Sequence, residues 1–282
     1  MFCSVIDLDS LAQAASCLDP LPTSVTRLAT MLGGEVPDLA EVVDVVQYDQ
    51  ALTATLLRAA NSSWSAARSE ITTVKDAVVR LGATTVFSLA LGVSVKGRVG
   101  GAIPEYGLSE GDLWNHSVAA ALAAELIIAR SPKRPRSDAV TGALLHDVGK
   151  LVMSRFLSTD LLELIGRSID EGGHNRIQSE AEILGVDHAE LGGLILQCWG
   201  LPDTLVRAVS YHHTPDIALD PVAYVVHLSD VVAKTIGAGG DDNPDLDSFA
   251  HAMAELELTA DDLDHVCETA SARLDEVLAR YA

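Results

Sequence analysis

Ala143-Leu144-Leu145-His146-Asp147-Val148-Gly149-Lys150 is the stretch on which the fold turns. It opens as an apolar helical run, sets an imidazole beside a carboxylate, and then meets a glycine of the kind that ends helices. Neighbouring residues on a helix point about 100° apart, so His146 and Asp147 converge on one centre only at a helix terminus or across a cleft. Gly149 supplies the terminus. Pro215 does the same for a second pair, His212-His213. Five of the nine histidines fall into the ordered series His116, His146-Asp147, His188 and His212-His213, which Asp230 closes. Imidazole nitrogen and carboxylate oxygen suit iron, manganese, zinc or nickel, and one bridging carboxylate lets two such ions share a site. Taken singly, each of these residues reads as an ordinary core or surface group. Asp187 is placed to cap a helix with Glu190 at its third position, which puts His188 in the first turn.

The surroundings of this series are helical throughout. Ala, Leu and Val dominate, aromatics make up only 4%, and apolar residues recur at helical spacing, with no stretch that alternates as a strand does. Pro22 and Thr23 open a helix running to about Met31, Gly33-Gly34 stop it, and Asp38 caps another that reaches Gln47. From Gln50 to Asn61, Leu52, Leu56, Leu57 and Ala60 share one face, the pattern of a core-packing helix. Asn61 and Ser62, at its end, either cap the following turn or contact a partner. Gly- and Pro-rich stretches at Lys96–Leu108 and Gly237–Asp247 divide the chain into an N-terminal helical section (1–96), a central section (109–236) and a C-terminal helical extension (245–282). In the last of these, Thr259 and Asp262 have capping-box-like spacing.

With 282 residues, 48% of them apolar, the chain can bury a sizeable core. Cys3, Cys17, Cys198 and Cys267 have no CxxC or regular spacing, so neither a disulfide framework nor a zinc ribbon is indicated. The N-terminus lacks a basic stretch followed by an apolar run, and no segment reaches the roughly 18 apolar residues of a membrane span. A cytoplasmic protein without a membrane partner is expected. A net charge of -21 argues against nucleic acid, and the short basic run Lys133-Arg134-Pro135-Arg136 reads as a solvated turn. Trp64, Trp114 and Trp199 read as core anchors, and His174, His251 and His265 as surface residues.

At this point the residues resemble a family. Leu144-Leu145-His146-Asp147-Val148-Gly149-Lys150 looks like the LLHDxGK motif of the HD phosphohydrolase superfamily. The segments Gly185–Gly192, Cys198-Trp199-Gly200-Leu201-Pro202 and His212-His213 resemble landmarks of its HDOD branch (HD-related output domain). Leu21-Pro22, Asp49, Leu52-Thr53, Leu56–Ser62, Ile71–Val74 and Leu81-Gly82 resemble the N-terminal pattern that sets HDOD proteins apart, so the likeness covers about residues 20–236. It implies an all-α fold: an HD-superfamily helical core with an N-terminal HDOD lobe, followed here by the C-terminal extension. By the ligand order of two-metal HD phosphodiesterases, His116, His146, Asp147 and Asp230 would hold one divalent transition metal. His188, His212 and His213 would hold a second, with Asp147 bridging and Lys150 offsetting phosphate charge. His227, one turn before Asp230, is a supporting group or a neighbour. Thr214-Pro215-Asp216 stands where cyclic di-GMP phosphodiesterases carry their GYP signature. The resemblance implies a bacterial signal-transduction regulator with a nucleotide or phosphoester ligand and a protein partner. Its alternatives are an active metal-dependent phosphohydrolase, with Asp147 and Lys150 in catalytic roles, and a non-catalytic interaction scaffold.

Overall fold

The computed structural model describes Gln13 and residues 20–32, 38–61, 71–238 and 246–278. Among these residues the protein is all-α, and its one extended pairing is an isolated bridge between Ile103 and Leu108. The N-terminal lobe comprises α1 (Thr23–Leu32), α2 (Leu39–Val46), α3 (Gln50–Ala60), α4 (Val74–Leu81) and α5 (Ala83–Val99). Local chemistry sets its boundaries: Asp38, Asp49 and Thr73 each accept a hydrogen bond from the first turn of the helix they precede. On α3, Leu52, Leu56 and Ala60 are buried as the periodicity predicts, with Leu57 half-buried beside them. The Asn61 side-chain amide donates to the carbonyls of Leu57 and Ile71 and accepts from the Ile71 amide at 2.7 Å, tying the end of α3 to the approach to α4.

The central section holds α6 (Asp112–Arg130), α7 (Ala139–Leu145), α8 (Lys150–Met153), α9 (Thr159–Asp170), α10 (Arg176–Leu184), α11 (His188–Cys198), α12 (Asp203–Ser210), α13 (Pro215–Ala218) and α14 (Pro221–Thr235). Helices α6 and α14 are apolar nearly all round and pack on each other at the centre. The alanines at 119–121 and 123–124 keep α6 slim enough for α7, α14 and a C-terminal helix to crowd against it. The C-terminal section forms α15 (Leu246–Glu255) and α16 (Ala260–Leu278). Thr259 and Asp262 cap α16 reciprocally, each side chain accepting from the other's backbone amide. α16 lies on α6, and residues of all three sections join one hydrophobic cluster.

One expected boundary shifts. Lys96 and Gly97 are still helical, because α5 continues to Val99 with Val95 and Val99 buried on its inner face. That apolar face outweighs the cost of about 1 kcal/mol for one helical glycine. Trp114 and Trp199 are buried, Lys133 and Arg136 lie in a turn paired with Glu257 and Asp138, and His174, His251 and His265 are exposed. No single helix among the described residues is long and apolar enough to cross a membrane. The expected helix stop at Gly33-Gly34, and Ser62, Trp64, Cys3, Cys17, Gly239, Gly240 and Pro244, lie outside the described residues.

Candidate metal centre

Five structural elements deliver seven donors to one buried locus. His116 projects from the second turn of α6, and His146 ends α7 with Asp147 in the turn before α8. His188 opens α11, where Asp187 caps the helix by accepting from the Glu190 amide at 2.8 Å. His212 and His213 follow the end of α12, and Asp230 lies on α14. The convergence of the His146-Asp147 pair depends on Gly149. A β-carbon there would sit 1.9 Å from the His188 carbonyl oxygen and 2.7 Å from the Gly192 nitrogen, so only glycine lets this turn close on α11.

The donors form two sets. In the first, the Nε2 atoms of His116 and His146 are 3.0 Å apart. Asp230 Oδ1 lies 3.1 Å from the former and 3.5 Å from the latter, and Asp147 Oδ2 lies 3.5 Å from both. In the second, His188 Nε2 is 3.1 Å from His213 Nε2, and the His212 ring is 3.9 Å from that of His213, centroid to centroid. Asp147 reaches this set as well, its Oδ1 standing 3.3 Å from His188 Nε2. One carboxylate therefore presents an oxygen to each set.

The outer nitrogens explain which way the rings face. The Nδ1 atoms of His116, His146 and His212 lie 2.5, 2.7 and 2.8 Å from the carbonyls of Ala238, Ala143 and Val209. A carbonyl only accepts, so each Nδ1 carries a hydrogen and Nε2 is the nitrogen each ring turns inward, its lone pair the one a cation would take. His212 Nε2 is buried with no hydrogen-bond partner among the described residues. Lone pairs facing each other at 3.0 Å repel unless a positive charge lies between them. Four donors around a cation at metal–nitrogen distances of about 2.0–2.1 Å stand roughly 3.3 Å apart, so the donor type, orientation and spacing all fit a transition-metal ion.

Electrostatics favours the ligating form at four of the donors, His212, His213, Asp147 and Asp230. Burial, followed by the neighbouring imidazoles, holds His212 and His213 well below the ordinary histidine value. For Asp147 burial pushes upward, but Lys150, 2.8 Å away, and His146 outweigh it and hold the carboxyl well below its usual range. Asp230 shows the same direction, with Lys234 at 2.9 Å as the main opponent of burial. Lys150, which the resemblance assigns to phosphate charge, is here buried and paired with Asp147. His227 serves as a buttress, its Nδ1 being 2.8 Å from the His212 carbonyl.

Two supporting groups escaped the sequence reading, Lys234 and Glu180. Glu180 is fully buried and accepts from His188 Nδ1 at 2.8 Å. Burial raises its pKa, but His188, Arg176 and Tyr106 together outweigh burial and bring it to about 2. At His188 burial pushes downward, but Glu180 and Asp147 together overcome it and lift that ring to about 9. The available signal was faint: Glu180 shares a helix face with Ile177 and Leu184, where a carboxylate is out of place unless it is paired.

An all-helical protein with two His/Asp donor sets sharing one carboxylate is of the HD type. The chain belongs to the HDOD domain family, whose profile matches residues 18–215. Its fold is shared by an HDOD domain protein of unknown function from Geobacter sulfurreducens, at 24% identity and a TM-score of 0.70 over 98% of both chains. A Shewanella amazonensis protein provisionally named a phosphohydrolase is 25% identical, with a TM-score of 0.69 over 97% of this chain and 98% of its own. A provisionally named signal transduction protein of Marinobacter aquaeolei is 22% identical, with a TM-score of 0.71 over 99% of this chain and 67% of its own. An uncharacterized protein of Treponema pallidum is 24% identical over 72% of this chain, and the match spans only 39% of that protein's length.

Proposed function

We propose that this chain is a cytoplasmic signal-transduction regulator whose core is organised by a two-ion transition-metal centre. His116, His146, Asp147 and Asp230 would hold one ion, and His188, His212 and His213, with Asp147 shared, the other. The observation that carries the reading is the inward facing of imidazole Nε2 atoms 3.0 and 3.1 Å apart in two sets joined by one carboxylate. Four protein donors per ion complete a tetrahedral shell, the arrangement of structural sites, whereas catalytic sites keep a position open. Six of the seven donor residues are at most 4% exposed, which also favours a sensing or structural centre over an open active site. A nucleotide would act as a regulatory ligand, and a protein partner would receive the signal.

A second reading, metal-dependent phosphohydrolysis of a cyclic dinucleotide or other phosphoester, draws on buried Lys150 beside Asp147. In that case the ions would supply Lewis-acid charge at phosphorus, and an octahedral iron or manganese would leave positions free. Elemental analysis of protein purified without chelator or metal-binding tag tests the metal. One or two equivalents are expected, falling in His188→Ala and in a His212→Ala, His213→Ala double variant. Metal near zero in the parent chain would overturn the proposal. Turnover of a phosphoester panel by manganese- or iron-loaded protein would move the assignment to the hydrolase.

A further inference from the structure

Three of the inward-facing histidines are tethered by backbone carbonyls, but His188 is tethered by a side chain, and that side chain is wired outward. Glu180 Oε2 accepts from both the Nδ1 and the backbone amide of His188, at 2.8 and 3.1 Å. Its other oxygen accepts from the Tyr106 hydroxyl at 2.8 Å and from Arg176 Nε at 3.1 Å. Arg176 also donates to the Glu105 carbonyl at 3.0 Å, and its guanidinium lies 4.4 Å from the centre of the Tyr106 ring. Lys150, the partner of Asp147, places its ammonium 5.5 Å from the same ring. Glu105 and Tyr106 belong to a single 3-10 turn, Pro104–Tyr106, held by the Ile103–Leu108 bridge. This turn begins five residues after α5 ends, so it lies on the chain path from the N-terminal lobe to the metal centre.

A carboxylate on the outer nitrogen of a ligating histidine fixes the ring and makes its inner nitrogen a better donor, and losing it typically costs about 10–100-fold in metal affinity. Glu180 can do this only while its carboxylate is held in the plane His188 needs, and Tyr106 and Arg176 do the holding. We propose that Glu180 is a positioning residue for His188, and that the Pro104–Tyr106 turn sets through it how tightly the His188–His212–His213 set holds a cation. Metal occupancy of that set and the order of the interlobe turn are then coupled, and the coupling is reciprocal. The inference rests on the two-ion reading and adds to it a route by which the N-terminal lobe and one metal set act on each other.

The test uses the full chain stripped of metal and titrated with cobalt(II), followed by visible absorption and elemental analysis. In Glu180→Gln, one of two cobalt ions is expected to bind about 10–100-fold more weakly while the other is unchanged. Tyr106→Phe keeps the ring and loses one hydroxyl, so it should fold normally and weaken the same ion by a smaller factor. Glu182→Gln, on the exposed side of α10, should leave both ions unchanged. Cobalt should also slow amide hydrogen exchange at Tyr106 and Gly107 in the parent chain, and do so less in Tyr106→Phe. Two tightly bound ions in both Glu180→Gln and Tyr106→Phe would overturn this inference and leave the metal reading standing. Exchange at the turn that ignores cobalt would overturn the coupling. A parent chain that binds no cobalt would defeat the metal reading itself, a result distinct from the other two.

Discussion

At Asp147 two demands meet in one side chain, since it faces both histidine sets and also neutralises a buried lysine. Asp147→Asn keeps the shape and removes the charge, so two losses are expected. Metal content should fall, and Lys150 would be left as an unpaired ammonium in the core, a change that costs about 3–5 kcal/mol. The double variant Asp147→Asn, Lys150→Met separates them. It should recover most of the thermal stability in a melt while its metal content stays low; recovery of metal along with stability would show that Asp147 serves only its lysine. The seven residues that converge here could be picked out because the clustering of His and Asp is written in the chain and the family resemblance supplies their order. Glu180 and Lys234 could not, because the one local sign at Glu180, a helix face shared with Ile177 and Leu184, does not name a partner, and only the packing of α10 brings that carboxylate against His188.

Helices were legible where caps and periodicity agreed, as at Asp38, Asp187 and Thr259. Punctuation by glycine was harder to read, because one residue type does different work at different sites. Gly149 marks the closest approach of the α7–α8 turn to α11, whereas a β-carbon at Gly97, inside α5, would meet nothing within 4 Å. The two substitutions should therefore have opposite signs. Gly97→Ala is expected to stabilise the chain by roughly 0.5–1 kcal/mol, the cost of a helical glycine relative to alanine. Gly149→Ala would collide with backbone atoms that have little room to give, so it should destabilise by about 1–3 kcal/mol or more. It should also part Asp147 from His188 and lower metal content. Chemical denaturation with elemental analysis checks both variants, and a Gly149→Ala protein with parental stability and metal would mean the two segments are not in contact as described.

For the molecule as a whole, the seven residues come from positions as far apart as His116 and Asp230, so two bound ions sharing Asp147 would together cross-link helices and turns that are distant in sequence. Acid dominates the chain, 40 Asp and Glu against 19 Lys and Arg, and cations at the centre would also relieve part of that self-repulsion. An unfolded chain offers no such preformed set, so metal binding is linked to folding and every increment of occupancy appears as stability. With free metal about 100-fold above its dissociation constant, a single site adds roughly 2.7 kcal/mol. For a chain of this size each kcal/mol moves the melting temperature by about 2–4 °C, so stripping one such ion should lower Tm by roughly 5–10 °C. The effect should return on adding back the native metal, and should shrink to the contribution of the first set alone in the His212→Ala, His213→Ala variant, whose second set is broken. Calorimetric melts before and after chelation give the measurement. An unchanged Tm on removal of a metal shown to be present would place that metal outside the core, and the centre built on Asp147 could not then be the element that organises this fold.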